Sequence, residues 1–220
     1  YIFPETDNGN IILDLVHGIN DKIDSLFLQK ISDTKIAGFR HCYGGLDGNR
    51  TMYFFMEFSQ PFSSLGFYKN EELIENQTVI SGKNVKAHFT FDTKSNKEIK
   101  VKVALSRVDI DGAENNMKEE LPDWDFDKIR RQASDAWNKE LSVIEVEGGT
   151  EAQQRTFYSS LYHVHVHPNI SYDVDRRYRS TDQKVYTLSD FDNYTTIKLW
   201  DTHRALPPLL NIIDQRRTNQ

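Results

Sequence analysis

A β-sandwich that gives way to helices is the fold class this sequence predicts, mainly β with α. Three observations predict it. Apolar and polar residues alternate with period two through much of residues 1 to 108, which sends successive strand side chains to opposite faces. Polar clusters containing glycine punctuate the same stretch. Beyond Pro122 the apolar spacing lengthens to that of one helix face.

Asn8-Gly9-Asn10, Gly44-Gly45 and Asp47-Gly48-Asn49 carry turn chemistry, glycine supplying the positive φ of a tight turn. Thr51 to Phe58 is apolar on both faces and predicts a central strand between two layers. Val85, Ala87, Phe89 and Phe91 alternate with Lys86, His88, Thr90 and Asp92. Ile99, Val101, Val103 and Leu105 alternate in the same way with Lys100, Lys102 and Ser106, so each set predicts a strand with one buried face. Strands joined by polar turns predict an antiparallel sandwich.

Asp125 predicts the cap of a helix whose apolar stripe is Ile129, Ala133, Ala136, Trp137 and Leu141. Val143 to Val146 reads as a short strand ended by Gly148-Gly149. Thr150 and Gln153 have the spacing of a capping box, which opens a helix through Phe157, Leu161 and Val164 that stops before Pro168. Ile197 to Ile213 reads as helix again, broken or kinked at Pro207-Pro208. These readings divide the chain into a β-sandwich over 1–121, a helical linker over 122–147 and the first helices of a second domain over 148–220.

The 220 residues are 38% hydrophobic and 12% aromatic, enough for a packed core. The formal net charge of -6 argues against a polyanionic partner, because nucleic-acid binding needs clustered cations that displace counterions. Here Lys and Arg are scattered, so no nucleic-acid partner is expected. Cys42 is the single cysteine, which excludes an intrachain disulfide and leaves a reducing cytosol and a bacterial periplasm both open. No apolar run approaches the roughly 18 residues of a membrane span. Tyr1-Ile-Phe-Pro4 reads like the middle of a strand, and Gln215 to Gln220 follow an apolar helix without closing a domain. Both ends are therefore expected to be interior points of a longer polypeptide.

The last quarter carries three ordered blocks. They are Phe157-Tyr-Ser-Ser-Leu-Tyr162-His, then Asp173-Val-Asp-Arg-Arg-Tyr-Arg179, then Tyr194-Thr-Thr-Ile-Lys-Leu-Trp200-Asp201-Thr202-His-Arg204-Ala-Leu. Their order and spacing resemble the calcium-dependent exo-acting α-mannosidases of glycoside hydrolase family 92. Gly38-Phe-Arg, the run from Tyr53 to Phe62, Trp124-Asp-Phe-Asp and Ala136-Trp-Asn138 extend the resemblance over most of the chain. It implies a sandwich of the supersandwich type, incomplete at its start, then linker helices and the truncated beginning of an (α/α)6 toroid. The implied activity is release of terminal α-linked mannose from glycans by an inverting, calcium-assisted single displacement. The implied setting is a bacterial periplasm, cell surface or secretion. The implied partners are a mannose-containing glycan and the remainder of the catalytic domain.

Trp200 and Asp201 have two readings on the residues alone. The indole can stack on the C–H face of a sugar while the carboxylate takes bonds from its hydroxyls. Alternatively, Asp201 caps a helix and Trp200 fills a core. The resemblance implies the first, with Trp200 and Asp201 as substrate-binding residues and Thr202 as scaffold. His163, His165 and His167 would converge on a zinc ion from a strand, but alternate residues of a helix diverge, so no metal site is expected there. Asp173 and Asp175, and Asp190, Asp192 and Asn193, lack the glycine and glutamate of a calcium-binding helix–loop–helix. Asp173 and Asp175 are expected to hold Arg176, Arg177 and Arg179 by ion pairs, and Arg204 to pair with a buried carboxylate.

Inversion requires a general acid and a general base whose carboxyl groups stand about 6.5–9.5 Å apart. The resemblance implies that both, with the main calcium ligands, follow Gln220. No catalytic residue and no metal ligand is therefore expected in this chain, Glu140, Glu147 and Glu151 read as surface charges, and the 220-residue piece alone is expected to be inactive. Two rival functions fit: another sandwich-plus-toroid enzyme, such as an inverting disaccharide phosphorylase, and a non-catalytic carbohydrate-binding module. The apolar residues Ile197, Leu199, Leu206, Leu209, Leu210, Ile212 and Ile213 predict a surface that is either covered by partners or mobile.

Overall fold

The computed structural model describes residues 1–18, 21–44, 48–195 and 199–219, without the side chain of Asp201. The chain forms two compact units, one of residues 1–124 and 173–185 and one of residues 125–172 and 186–220. The strands of the first unit are β1 (Gly9–Asp14), β2 (Lys22–Lys30), β3 (Lys35–Tyr43), β4 (Arg50–Phe58), β5 (Ser64–Lys69), β6 (Glu72–Ile74), β7 (Val79–Gly82), β8 (Val85–Phe91) and β9 (Val101–Ser106). They make a four-stranded sheet in the order β1-β8-β5-β6 and a five-stranded sheet in the order β7-β2-β3-β4-β9. Every pairing is antiparallel.

The sandwich core follows from the alternation. Val85, Ala87, Phe89 and Phe91 of β8 are all fully buried, while Lys86, His88 and Thr90 between them are half-buried on the other face. Against them the five-stranded sheet sets Leu26, Leu28, Ile36, Phe54 and Phe58. The rings of Phe58, Phe89 and Phe91 meet at centroid separations of 4.8 and 5.2 Å. Each buried side chain of this size contributes about 1.5–3 kcal/mol relative to exposure.

The doubly apolar strand is β4, flanked by β3 and β9. Phe54 and Phe58 enter the sandwich core, and Phe55 on the opposite face joins Ala37 and Ala104 beneath a helix, α1 (Ile110–Glu120). Period-two reading passes over α1. Its signals are Asp109, which caps by accepting from Gly112 N–H at 2.6 Å, and the i, i+4 pair Ala113 and Met117 that packs on the sheet.

Two expectations for this unit are corrected. Ile99 is fully buried, but Val103 and Leu105 are 44% and 54% exposed, and Ala104 and Ser106 are the buried residues of that stretch. The reason is that β9 is an edge strand whose better-covered face lies under α1. Gly9 is not a turn residue but opens β1, where an added Cβ would sit 3.2 Å from both Phe3 and Thr93 side-chain carbons. Close packing, not φ, needs that glycine. Gly44 and Gly48 do have positive φ, 84° and 65°, whereas Gly45 and Asp47 lie outside the described residues.

Residues 173–185 return to this unit. β10 (Arg177–Arg179) pairs with β11 (Val185–Thr187) in a two-stranded ribbon. Of the expected ion pairs, Asp175 does hold Arg177 at 2.7 Å, and Arg177 also reaches Asp109 at 2.7 Å. Those carboxylates hold the Arg177 guanidinium well above its ordinary pKa, Asp109 most strongly. Arg179 instead donates to the carbonyls of Arg107, Val108 and Gln183. Asp173 takes neutral donors rather than a guanidinium, Ser106 Oγ at 2.6 Å and Asn116 Nδ2 at 3.0 Å.

The second unit is helical. α2 (Phe126–Leu141) is capped by Asp125, which accepts from Lys128 N–H at 2.9 Å. α3 (Glu151–His165) opens on the reciprocal bonds of Thr150 and Gln153. The expected strand at Val143–Val146 is absent; Tyr158 Oη instead meets Ile144 O and Val146 N, each at 3.4 Å. In the terminal segment, α4 (Leu199–Thr202) and α5 (Leu206–Ile213) are separated at His203–Ala205. The break thus precedes Pro207-Pro208, which form the first turn of α5, where missing N–H groups cost nothing. α6 (Gln215–Thr218) follows, capped by Asp214.

Candidate functional site

The residues shortly ahead of the Trp-Asp block are tethered to those that follow α3. Tyr194 forms an antiparallel bridge with Ile170. On either side, Ser171 N–H donates to Asn193 O at 2.8 Å and Thr195 N–H to Asn169 O at 2.8 Å. Asn193 and Thr195 add side-chain bonds, Asn193 Nδ2 to Ser171 O and Asn169 N–H to Thr195 Oγ1, both at 2.9 Å. Asp192, just upstream, accepts from Tyr172 Oη and from Arg216, each at 2.8 Å. The chain is therefore held on three neighbouring residues shortly before α4.

On α4 the Trp200 side chain is 90% exposed, and Leu199 beside it is 65% exposed. An indole so exposed fills no core among the described residues. It is a flat apolar face open to a ligand or to more protein. The backbone of Asp201 lies in α4, and its side chain lies outside the described part, as do Thr196, Ile197 and Lys198. His203 closes α4, its backbone N–H and Nδ1 both meeting Leu199 O at 3.0 Å. Among the described residues Arg204 meets no buried carboxylate; it is exposed and donates from Nε to His203 Nε2 at 3.3 Å. Of the apolar residues near the C-terminus, Leu210 is buried and Ile212 is 78% exposed.

A second feature of the helical unit is a groove of about 350 Å³ lined by residues of α2, α3 and α6, among them Ala133, Ala136, Trp137, Glu140, His165 and Arg217. Arg217 organises it, reaching Glu140 Oε2 at 3.2 Å, Asp214 Oδ2 at 3.1 Å and His165 Nδ1 at 3.3 Å. The His165 side chain is 3% exposed. Burial, and then the Arg217 charge, push its pKa below the ordinary value, so it is neutral at pH 7. Sequence reading treats Glu140 as a surface charge and leaves Arg217 among the scattered cations. Their partnership with His165 brings together residues far apart in sequence, and no local pattern announces it.

The carboxylates that might suggest calcium are engaged elsewhere: Asp173 by Ser106 and Asn116, Asp175 by Arg177, Asp192 by Tyr172 and Arg216. Among the described residues no group of three His, Cys, Asp or Glu side chains is arranged to hold a metal ion. These residues do not fit a calcium site. His163 and His165 both lie on α3 and so diverge.

Comparison with known proteins places this geometry. The model of the Glycosyl hydrolase family 92 N-terminal domain matches residues 1–106, and that of the family's catalytic domain matches residues 112–220. A solved family GH92 α-mannosidase from Bacteroides thetaiotaomicron is 35% identical, with a TM-score of 0.91 over 98% of this chain and 30% of its own. A family GH92 inverting mannosidase from the same organism is 29% identical, with a TM-score of 0.83 over 98% of this chain and 30% of its own. An uncharacterized secreted glycosidase of Arthroderma benhamiae is 34% identical over 87 residues, 37% of this chain and 11% of that protein. The chain thus spans under a third of the length of each of these proteins. Two models of one family account for both units of sequence, the sandwich and the helices after it, and the chain belongs to glycosyl hydrolase family 92.

Proposed function

We propose that this chain is the sandwich and the opening helical part of an exo-α-mannosidase, an enzyme that releases terminal α-linked mannose from glycans with inversion. The observation that carries the reading is the match of both family 92 models, supported by a TM-score of 0.91 to a family α-mannosidase. Solved relatives include an α-mannosidase in complex with mannoimidazole and one described as an inverting mannosidase. The mechanism in this reading is one displacement of the glycosidic oxygen by water, with acid and base carboxyls about 6.5–9.5 Å apart. Those two carboxyls, and the ligands of the calcium implied by the resemblance, belong to sequence following these residues. The 220 residues alone then lack both proton transfer and the geometry that supplies rate. Action outside the cytoplasm fits the secreted relative.

Within this chain, Trp200 and Asp201 contribute recognition. The exposed indole gives the platform for a sugar's C–H face. The Asp201 carboxylate accepts from sugar hydroxyls, and losing that acceptor leaves hydroxyls unpaired at about 1–3 kcal/mol. In the full-length enzyme, Asp201→Ala and Trp200→Ala are each expected to lower kcat/KM on an aryl α-mannoside about 10- to 100-fold. Unchanged kinetics in both variants would remove the pair from the site. Turnover of the same substrate by the purified 220 residues, abolished by a point substitution within them, would move the catalytic groups into this chain.

A further inference from the structure

We propose that Asp192 is a positioning residue for sugar recognition: it joins the two flanks of the α4–α6 segment and so fixes where the backbone presents Trp200 and Asp201. The inference rests on the recognition reading of that pair and adds a residue to it.

Trp200 and Leu199 are 90% and 65% exposed, so neither side chain anchors α4, and the indole goes where the α4 backbone puts it. From α4 onward that backbone runs in hydrogen-bonded turns. His203 N–H donates to Leu199 O at 3.0 Å, Ala205 N–H to Thr202 O at 3.1 Å, Leu209 N–H to Ala205 O at 3.0 Å and Asp214 N–H to Leu210 O at 2.7 Å. Asp214 then caps α6 by accepting from Arg217 N–H at 3.0 Å. α6 also carries Arg216, whose Nη2 donates to Asp192 Oδ2 at 2.8 Å. Each step of this path lies among the described residues.

Asp192 is itself anchored. Its side chain is 13% exposed, and Oδ1 accepts from Tyr172 Oη at 2.8 Å. Residues 193–195 next to it are bonded along residues 169–171. Arg217 seats α6 on α2 and α3 through Glu140 and His165, and Asp192 joins α6 to the residues leading into α4. Tyr172 and Arg216 both donate, so both carboxylate oxygens are used, and the Arg216 bond is charge-assisted. The pair links residues 24 apart in sequence, which limits the freedom of the segment between them. The Arg216 side chain is 79% exposed, so this ion pair adds little to global stability, and its loss falls on placement rather than on folding.

The test is steady-state kinetics of the full-length enzyme on an aryl α-mannoside. Asp192→Ala is expected to lower kcat/KM about tenfold, and Arg216→Ala, at an exposed position whose loss leaves the core intact, about fivefold. Arg216→Lys, which keeps a cationic donor for Asp192, is expected to restore most of the Arg216→Ala loss. In the Trp200→Ala enzyme, where the indole to be placed is gone, Arg216→Ala is expected to cost less than about twofold. Unchanged kcat/KM in Arg216→Ala would overturn the proposal. So would an equal fivefold loss in the Trp200→Ala enzyme, the result that general loosening of the helices gives. The two readings fail separately. A loss in Trp200→Ala with a silent Arg216→Ala removes the positioning role alone, whereas unchanged kinetics in Trp200→Ala removes the recognition reading and the positioning role with it.

Discussion

Gly38→Ala is expected to destabilise the sandwich by at least about 3 kcal/mol, at or beyond the upper end of ordinary overpacking costs. Gly38 lies in β3, the middle strand of the five-stranded sheet, paired with Leu28 of β2 on one side and Phe54 of β4 on the other. A Cβ there would fall 2.1 Å from the Phe27 carbonyl oxygen and 3.0 Å from two carbons of the Phe54 ring. The first contact is with backbone inside a ladder, so relief means shifting β2 against β3 rather than turning a side chain. Gly82→Ala is the contrast. Its nearest neighbours are Lys69 Cε at 3.3 Å and Val85 Cγ2 at 3.4 Å, on the edge strand β7, and a loss below about 1 kcal/mol is expected. Urea unfolding followed by near-ultraviolet circular dichroism measures both. Equal small losses would mean that β2 and β3 yield more easily than their register suggests.

What was legible in the sequence was whatever a short window contains. The alternation of Val85 to Phe91 and the doubly apolar run of β4 each encode their own burial, and the structure follows them, residue by residue in β8 and at Phe54, Phe55 and Phe58 in β4. The caps at Asp125 and Thr150 are equally local. α1 does not stand out by period because it follows β9 after only three residues, and its cap at Asp109 lies directly behind the strand alternation. Val103 and Leu105 alternate correctly, yet their exposure depends on which sheet neighbours exist, and that is a property of topology. The same limit applies to function. Trp200 stands out in the sequence beside Asp201 in the third block, and the structure leaves it 90% exposed, which removes the reading of a core residue among the described residues. The cluster of Glu140, His165 and Arg217 could not, because its members are drawn from three helices.

Asp173→Asn is expected to cost about 2–4 kcal/mol, far more than loss of an ordinary surface ion pair, because it breaks a buried network whose donor directions are fixed. Ser106 Oγ accepts from Val108 N–H at 2.8 Å and from Asp109 N–H at 3.3 Å, so its own proton must go to Asp173. Asn116 Oδ1 accepts from Val174 N–H at 2.9 Å, which forbids an amide flip and leaves its Nδ2 donating to Leu105 O and Asp173. Both neighbours therefore demand acceptor oxygens, and an amide at 173 presents one oxygen and one clashing NH2. Burial raises the Asp173 pKa, and the donors from Ser106 and Asn116 oppose that rise. Asp175→Asn, whose ion pair with Arg177 has side chains 32% and 31% exposed, is expected to cost less than about 1 kcal/mol. Gly112→Ala supplies an independent probe of the same node. In a helix this change usually gains about 1 kcal/mol, but here the new Cβ would stand 2.3 Å from Asp173 Oδ2 and 2.9 Å from Ser106 Oγ, so the sign reverses to a loss of about 1–3 kcal/mol. In a double-mutant cycle, Asp173→Ala removes the nearer clashing oxygen, and the Gly112→Ala penalty should then shrink. Strictly additive losses would mean that the two residues do not share this contact.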